Sequence, residues 1–323
     1  MLVLAAGSSV FFQQIENGIT LGAMYALVAL GYTLVYGIIE LINFAHGDVF
    51  MWSTIVIIAV VDDVLGWKAH PLMLPYTGLA LIGILLMLLV IGMTVSATIN
   101  VSIERLAYRR LRKAPRLAPL IAAIGASFIL ENVAQLWRSA SSESFPTIFP
   151  PGGITLSGTF GGTLQINYLD IFIIVLAVGL MYGLARFIRL TRLGKAMRAT
   201  AQDPEAAALM GVNIDRTISF TFLIGGALAG AAGVFYCLYV GQVWWYSGFE
   251  LGLIAFTAAV LGGIGNIYGA VLGGFVIGLV QSLAIAYIPS GVSWSDATVF
   301  AILVLILIFR PSGLLGQRVP DKV

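Results

Sequence analysis

The chain has 323 residues, of which 59% are hydrophobic and only 10% are charged, and its mean hydropathy is +0.99. Soluble domains carry roughly a quarter charged residues, so this composition excludes a water-soluble fold. The formal net charge of +2 is less informative than where the charges lie. The single cysteine, Cys237, excludes an intramolecular disulfide and a multi-cysteine metal site.

Apolar stretches long enough to cross a hydrocarbon core of about 30 Å recur along the chain. Backbone polar groups must be satisfied internally in lipid, so these stretches predict helices. The predicted spans are 14–36, 45–61, 75–101, 117–137, 168–186, 217–240 and 296–309. Residues 250–288 are apolar but interrupted at 262–269 by GGIGNIYG, which predicts two short helices or a helical hairpin. We therefore expect an all-α polytopic integral membrane protein, with about eight transmembrane helices (plus or minus one) in a single domain over 1–323, and a broken or re-entrant segment near 250–288.

The basic residues predict the orientation. Fifteen of the 17 Lys and Arg residues lie in connections that would share one face of the membrane. They are Arg105, Arg109, Arg110, Arg112, Lys113, Arg116, Arg186, Arg189, Arg192, Lys195, Arg198, Arg216, Arg310, Arg318 and Lys322. Only Lys68 and Arg138 fall on the other side. By the positive-inside rule the basic loops and the C-terminus are expected in the cytoplasm, and the N-terminus outside.

The longest connection expected outside, 138–167, contains SASSESFPTIFPPGGITLSGTFGG and a strand-like patch at Ile154–Leu156. A small surface lid or docking feature and a loosely ordered connector are both consistent with this composition.

Glycines at helical spacing predict close helix packing. Lipid gives no hydrophobic drive for helix association, so small residues let two backbones approach. The pairs Gly18 with Gly22 and Gly226 with Gly230 have this spacing. A longer stripe consists of Gly265, Gly269 and Gly273, continued out of phase by Gly274 and Gly278. We favour static packing over a sliding interface, because such motifs occur in many membrane proteins.

Polar residues inside the predicted spans are candidates for a translocation pathway, since they are costly in lipid and normally face the bundle interior or water. Ser127, Glu131 and Gln135 form one stripe at i, i+4 and i+8. Glu131 is expected either to line the pathway or to be a structural carboxylate bonded to Gln135 or Asn132, or paired with Arg138.

The segment IELINFAHGDVFM at 39–51 places Asn43, His46 and Asp48 between two spans. It predicts a tight reversal of the chain that is lined by polar side chains, followed by a helix whose N-terminus is capped by Asn43 or by Asp48. One His and one Asp are too few for zinc, so no metal site is expected. Glu250, at the mouth of the broken segment, completes the pathway candidates.

Motifs for energy conversion are absent from the sequence. The closest approach to a P-loop, RLTRLGKAM at 189–197, lacks the first glycine and the Ser/Thr. There is no G-x-S-x-G or H-E-x-x-H motif, and His46 and His70 are not expected to assemble a catalytic centre. The chain is therefore not expected to be an enzyme or to hydrolyse ATP.

The loop 187–216 contains a short helix with strong local signals. Asp203 is expected to cap it, with Pro204 at the first helical position and Glu205 next, and Gly211 suits a left-handed stop. Ala206 and Ala207 continue the helix, which leaves small and apolar residues exposed unless another protein covers them.

Glu205 to Gly211 resembles the coupling motif of ABC importer permeases, E-A-A followed by three residues and Gly. The segments GITLGAMYALVALGYTLVYGIIELINFAHGDVFM at 18–51, DPEAAALMGVNIDR, AAVLGGIGNIYGAVLGG at 258–274 and FRPSGLLG at 309–316 are similar to the branched-chain amino acid permease family, of the high-affinity Leu/Ile/Val first-permease type. The similarity covers nearly the whole chain.

This resemblance implies a permease subunit that forms half of an importer's translocation pathway in a bacterial cytoplasmic membrane. It implies that Asp203, Pro204, Glu205, Ala206, Ala207 and Gly211 couple the chain to ATPase subunits. The implied partners are a second homologous permease, as a heterodimer, two cytoplasmic ATPase subunits and an outside solute-binding protein, with no nucleic acid. No cofactor is expected on this chain, and ATP and Mg would be used by the partners.

Three other interpretations of the sequence stay open. Urea and short-chain amide permeases are close relatives of the family, so they are an alternative for the substrate. An ion-coupled secondary transporter or channel would use the break at 262–269 as its site, but ion coupling gives no reason for a capped cytoplasmic helix. A purely structural membrane subunit would not need polar residues inside several spans.

Overall fold

The computed structural model describes residues 2–66, 77–112, 114–115, 117–138, 140–157 and 163–316, with side chains from residue 10 onward. The helices are α1 (Leu2–Ile39), α2 (His46–Ala59), α3 (Gly78–Ile103), α4 (Arg109–Leu111), α5 (Leu117–Trp137), α6 (Tyr168–Leu190), α7 (Arg192–Gln202), α8 (Pro204–Leu209), α9 (Ile214–Val240), α10 (Ser247–Gly262), α11 (Ile267–Tyr287) and α12 (Gly291–Phe309). Two π-helical turns, Val60–Val64 and Glu104–Tyr108, extend α2 and join α3 to α4. The strands are β1 (Glu143–Ser144), β2 (Gly153–Ser157), β3 (Thr163–Asn167) and β4 (Gln242–Val243).

Within the described residues, seven helices are long and apolar enough to cross a membrane, and α10 is a shorter apolar helix. The seven are α1, α3 with its extension to Leu111, α5, α6, α9, α11 and α12. The expected all-α polytopic membrane fold is confirmed. The segment near 250–288 is indeed two helices, α10 and α11, joined by a turn in which Gly263 and Gly265 have φ values of 105° and 92°. Only glycine adopts such values readily.

The bundle is built around α1 and α9. In the most apolar 18-residue stretch of each of these helices, 78% and 72% of the residues are buried. In the corresponding stretches of α12 and α3 only 11% and 22% are buried. The outer helices therefore present most of their apolar side chains to lipid or to another subunit. The partly buried α11 packs along α1, and α3 packs along α9.

Glycines mediate both of these central packings, as predicted. A Cβ on Gly22 would lie 2.7 Å from the Cα of Phe275 in α11. A Cβ on Gly226 would lie 2.7 Å from the carbonyl oxygen of Ser96 in α3. Backbones that approach this closely leave no room for a methyl group.

The prediction that Gly265 belongs to a packing stripe is wrong. Gly265 lies in the turn before α11, and a Cβ there would have no neighbour within 4 Å. Its left-handed backbone, which glycine permits, explains the residue instead. Gly269 and Gly273, inside α11, do pack against α10 through Gly262 and Ala258.

The two ends of the bundle differ in charge and in their connections. The basic end is where α3 and α6 finish and α7, α8 and the start of α9 lie; the opposite end carries Arg138 and the strands. There β2 pairs antiparallel with β3, Gly153 opposite Asn167, and β1 pairs with β4. The strand-like patch at Ile154–Leu156 is confirmed. Residues outside the described set include Lys68, His70, Lys113, Arg116, Ser139, residues 158–162, Arg318 and Lys322.

Candidate functional site

Helix α2 begins inside the bundle, not at its surface. After α1 ends at Ile39 the chain turns back, and the His46 ring packs edge-on against Tyr32 of α1 with ring centroids 4.8 Å apart. Gly31, which accommodates this imidazole, lies eight residues before the end of α1. At 1.5 Å per residue, α2 therefore begins about 12 Å inside that end.

The prediction that Asn43 or Asp48 caps α2 is wrong. The N-cap position is Ala45, whose side chain makes no capping hydrogen bond. The Asn43 side-chain amide instead donates to Asn100 Oδ1 at 3.1 Å, and the Tyr108 hydroxyl donates to the Ile42 carbonyl at 3.1 Å. Buried polar partners on α3 and on its π-helical turn outcompete the local cap, and they fix the reversal against α3.

Asp48 lies at the centre of a small polar cluster. It is 1% exposed, and its Oδ2 accepts a hydrogen bond from Ser127 Oγ at 2.5 Å. Glu131, one turn along α5, is 3% exposed and lies within electrostatic range of Asp48. The structure thus brings together His46, Asp48, Ser127 and Glu131 from two predicted motifs. We name these four residues, with Ser247 of α10, the polar centre.

Helix α10 starts beside the start of α2. A Cβ on Gly252 would lie 2.9 Å from the Gly47 Cα, and a Cβ on Gly248 would lie 2.7 Å from Asp48 Oδ1. Ser247, the first residue of α10, is fully buried. The N-termini of two helices therefore meet within the bundle.

Three other pathway candidates lie apart from the polar centre. Asn43 is bound to α3, as described above. Gln135 is partly buried one turn beyond Glu131, and Glu250 is exposed on the first turn of α10. Among the described residues, no group of three or more His, Cys, Asp or Glu side chains could hold a metal ion.

The sequence interpretation missed a second polar stripe, on α3. Ser96, Asn100 and Glu104 are all fully buried. The Asn100 amide donates to the Phe222 carbonyl of α9 at 2.7 Å, and Ser96 Oγ donates to the Val49 carbonyl of α2 at 2.7 Å. The signal was present, since these residues follow the same i, i+4, i+8 spacing as Ser127, Glu131 and Gln135.

At the basic end, Glu104 ties α3 to the start of α9. Its carboxylate is buried, forms an ion pair with Arg112 and accepts a hydrogen bond from Ser219 Oγ at 2.7 Å. Arg112 also pairs with Asp215 at 2.6 Å. The first turn of α9 follows directly on the loop that contains α8, so these contacts connect that loop to the end of α3.

At the opposite end, Arg138 joins three elements. It pairs with Asp62 at 3.0 Å and Asp63 at 3.1 Å at the end of α2, and with Glu143 of β1. The hydrogen bond to Glu143 and the surrounding carboxylates raise the pKa of the Arg138 guanidinium above its usual value. This network fastens α2, α5 and the strands together.

Helix α8 has the predicted geometry. Asp203 Oδ1 accepts hydrogen bonds from the backbone N–H groups of Glu205 and Ala206, both at 2.9 Å, and Gly211 has φ 86°. Ala207 is buried, whereas Leu209 is 89% exposed and Met210 is 85% exposed. The helix is held on one side and presents two large apolar side chains on the other.

The fold defines a polytopic helical membrane protein with a buried polar centre. Residues 14–307 match the family described as branched-chain amino acid transport system / permease component. The chain therefore belongs to this family.

Full-length relatives agree with the family assignment. The chain is 41% identical over 315 residues to the high-affinity branched-chain amino acid transport system permease protein BraD of Pseudomonas aeruginosa, with 97% of this chain and 98% of the relative covered. It is 39% identical over 319 residues to the corresponding LivH protein of Escherichia coli K12, with the same coverage. An autoinducer 2 import system permease protein, LsrC of Yersinia pseudotuberculosis, is 30% identical over only 42% of this chain. No solved structure matches the chain.

Proposed function

We propose that this chain is the permease subunit of an ABC importer for branched-chain or related amino acids. It forms half of the translocation pathway in a bacterial cytoplasmic membrane. Family membership and the names of the full-length relatives support the substrate class. Burial of several carboxylates and amides supports a transport role, because a structural membrane subunit would not need them.

The observation that carries the coupling to ATPases is the exposed face of α8. A solvated loop gains nothing from presenting Leu209 and Met210 to water on a capped, Ala-rich helix. A groove on a partner protein would bury both side chains and receive the helix as a rigid unit. Asp203, Pro204, Glu205, Ala206, Ala207 and Gly211 build that unit.

The proposed assembly contains a second homologous permease, two ATPase subunits that bind ATP and Mg, and a solute-binding protein outside. The chain itself would bind no cofactor and hydrolyse no ATP. The basic residues of α3 to α9 lie at the same end as α8, which supports a cytoplasmic location for that end and for the C-terminus. The ATPases would then meet α8 in the compartment that supplies ATP.

The test is uptake by the assembled transporter in proteoliposomes. We expect ATP-dependent leucine uptake only when the ATPase subunits are present. Uptake driven by an ion gradient without them would replace the proposal with a secondary transporter. Transport of urea or a short-chain amide in preference to leucine would leave the ABC mechanism intact and change the substrate.

A substitution pair tests the coupling helix. Gly211→Val forces a β-branched residue into a left-handed backbone at the end of α8. We expect uptake per ATP hydrolysed to fall roughly tenfold while membrane insertion is unchanged. The matched control is Gly66→Val, because Gly66 also has a positive φ of 68° and open space around it but lies after α2 at the opposite end. Equal coupling in both variants would remove the assignment of α8.

A further inference from the structure

Helices α2 and α10, whose starts meet inside the bundle, have no capping side chain at the N-cap position. Side chains of Thr191, Asp203, Asn213 and Asn266 accept hydrogen bonds at the N-termini of α7, α8, α9 and α11. The N-cap residues of α2, α3, α6, α10 and α12 make no such bond. The His46 N–H of α2 and the Ser247 and Phe249 N–H groups of α10 donate to the carbonyls of Asn43, Trp244 and Tyr246. The positive end of each helix dipole nevertheless lies inside the bundle. Such an end attracts an anionic group.

Oxygen atoms without a hydrogen bond converge on the same place. In the part of the chain that the structure describes, Asp48 Oδ1, Glu131 Oε1 and Ser247 Oγ are buried and have no hydrogen-bond partner. Asp48 Oδ1 faces the first turn of α10, because it lies 2.7 Å from the position of a Cβ on Gly248. Leaving buried polar atoms without hydrogen bonds costs free energy, which a ligand with matching donors and acceptors would recover.

The chemistry of these groups is complementary to both charged ends of an α-amino acid. Carboxylates such as those of Asp48 and Glu131 accept hydrogen bonds from an ammonium group. The Ser247 hydroxyl and the Gly248 N–H at the start of α10 are the donors that face a carboxylate there, since the Ser247 and Phe249 N–H groups bond to the Trp244 and Tyr246 carbonyls. The aromatic pair of Tyr32 and Phe256, with ring centroids 5.9 Å apart, forms an apolar wall next to His46.

We propose that the polar centre is a binding site in the permease itself for the zwitterionic head of an α-amino acid. The ammonium group donates to Asp48 and Glu131, and the carboxylate accepts from the Ser247 hydroxyl and from the Gly248 N–H. This inference rests on the proposed function and extends it, because it assigns substrate recognition to this chain as well as to a separate solute-binding protein. It also explains why two uncapped helix starts face each other in an apolar bundle.

Access to the site is controlled by glycine contacts. Gly47, Gly248 and Gly252 hold the starts of α2 and α10 in backbone contact. An amino acid fits between them only when α10 moves away from α2. The far end of α10 is bonded to the C-terminal segment, where the Leu314 N–H donates to the Leu261 carbonyl at 2.8 Å. Movement of that end thus couples the site to the basic end of the bundle.

The experiment measures equilibrium binding of radiolabelled L-leucine to the complete complex of permeases and ATPases without the solute-binding protein. Competition by leucinamide, which lacks the carboxylate, and by 4-methylpentanoate, which lacks the ammonium group, reports on each end of the ligand. We expect both analogues to compete roughly tenfold more weakly than leucine, because each lacks one of the two charged groups that form charge-assisted hydrogen bonds with the site.

Substitutions assign each end of the ligand to its residue. Asp48→Asn weakens leucine binding and reduces the preference for leucine over 4-methylpentanoate, with Glu131 remaining as the second acceptor of the ammonium group. Ser247→Ala reduces the preference over leucinamide. The matched control is Asp170→Asn, because Asp170 is also a 2%-exposed carboxylate in the first turn of a helix, α6, but lies outside the polar centre. Its binding and its discrimination are expected to equal those of the wild type.

Several results would overturn the inference. They are no leucine binding by the wild-type complex, unchanged discrimination in Asp48→Asn and Ser247→Ala, or the same loss in Asp170→Asn. Uptake by the full transporter, measured in parallel, separates this inference from the proposed function. Uptake without leucine binding by the complex would refute the proposed site alone. Leucine binding without ATP-driven uptake would support the site and refute the proposed function.

Discussion

Replacement of Glu104 by Gln tests the contact that joins α3 to the start of α9. The change removes the negative charge of a fully buried carboxylate that pairs with Arg112 and accepts from Ser219. Breaking a fully buried ion pair costs about 3–5 kcal/mol. The Arg112 side chain is 21% exposed and keeps its ion pair with Asp215, so solvent and this second partner reduce the expected loss in the free energy of unfolding to about 2 kcal/mol.

The assay is reversible unfolding of the purified permease in mixed micelles with rising SDS, together with ATP-dependent uptake in the assembled transporter. We expect uptake per ATP hydrolysed to fall, because the start of α9 no longer moves with α3. The control is Glu40→Gln, at an exposed glutamate after α1. A Glu104→Gln free energy of unfolding within about 0.5 kcal/mol of the wild type would refute the reasoning, since surface substitutions fall in that range.

Two further predictions concern packing and the opposite end of the bundle. Gly278→Ala places a methyl group against the backbone of Gly22, so we expect the free energy of unfolding in SDS to fall by about 1–3 kcal/mol. The control is Gly179→Ala, because a Cβ at Gly179 has no neighbour within 4 Å. Equal losses in the two variants would contradict the packing argument. Arg138→Gln leaves clustered carboxylates without their cation, so we expect about 1–3 kcal/mol of destabilisation and faster proteolysis of the loop around Glu143. An unchanged proteolysis rate would show that Arg138 does not fasten this end.

Local sequence signals predicted the elements whose causes are local. The cap and stop of α8 were predicted from Asp203, Pro204 and Gly211, because each residue acts on its own backbone or on the next turn. The break between α10 and α11 followed from glycines that permit positive φ. The pairs Gly18 with Gly22 and Gly226 with Gly230 were also predicted to pack, since lipid leaves few other uses for small residues at that spacing.

Predictions failed where distant residues compete for the same group. Asn43 was expected to cap α2, but Asn100, 57 positions along the chain, takes its side-chain amide. Gly265 was assigned to a helix face, but it lies in the turn between α10 and α11, which begins at Gly263. The spacing of Asn100 and Glu104 was visible in the sequence. Spacing alone, however, does not show which of two polar stripes faces the interior of the bundle.

The sequence by itself determined that the chain is a helical membrane protein, which ends carry the basic residues, and where a capped helix is exposed. These properties depend on composition and on neighbours a few positions apart. Only the tertiary structure decided that α2 and α10 begin beside each other inside the bundle. That meeting depends on backbone contact between Gly47 and Gly248, two residues separated by seven helices, and no local preference encodes it. The resulting convergence of Asp48, Glu131 and Ser247 is a property of packing.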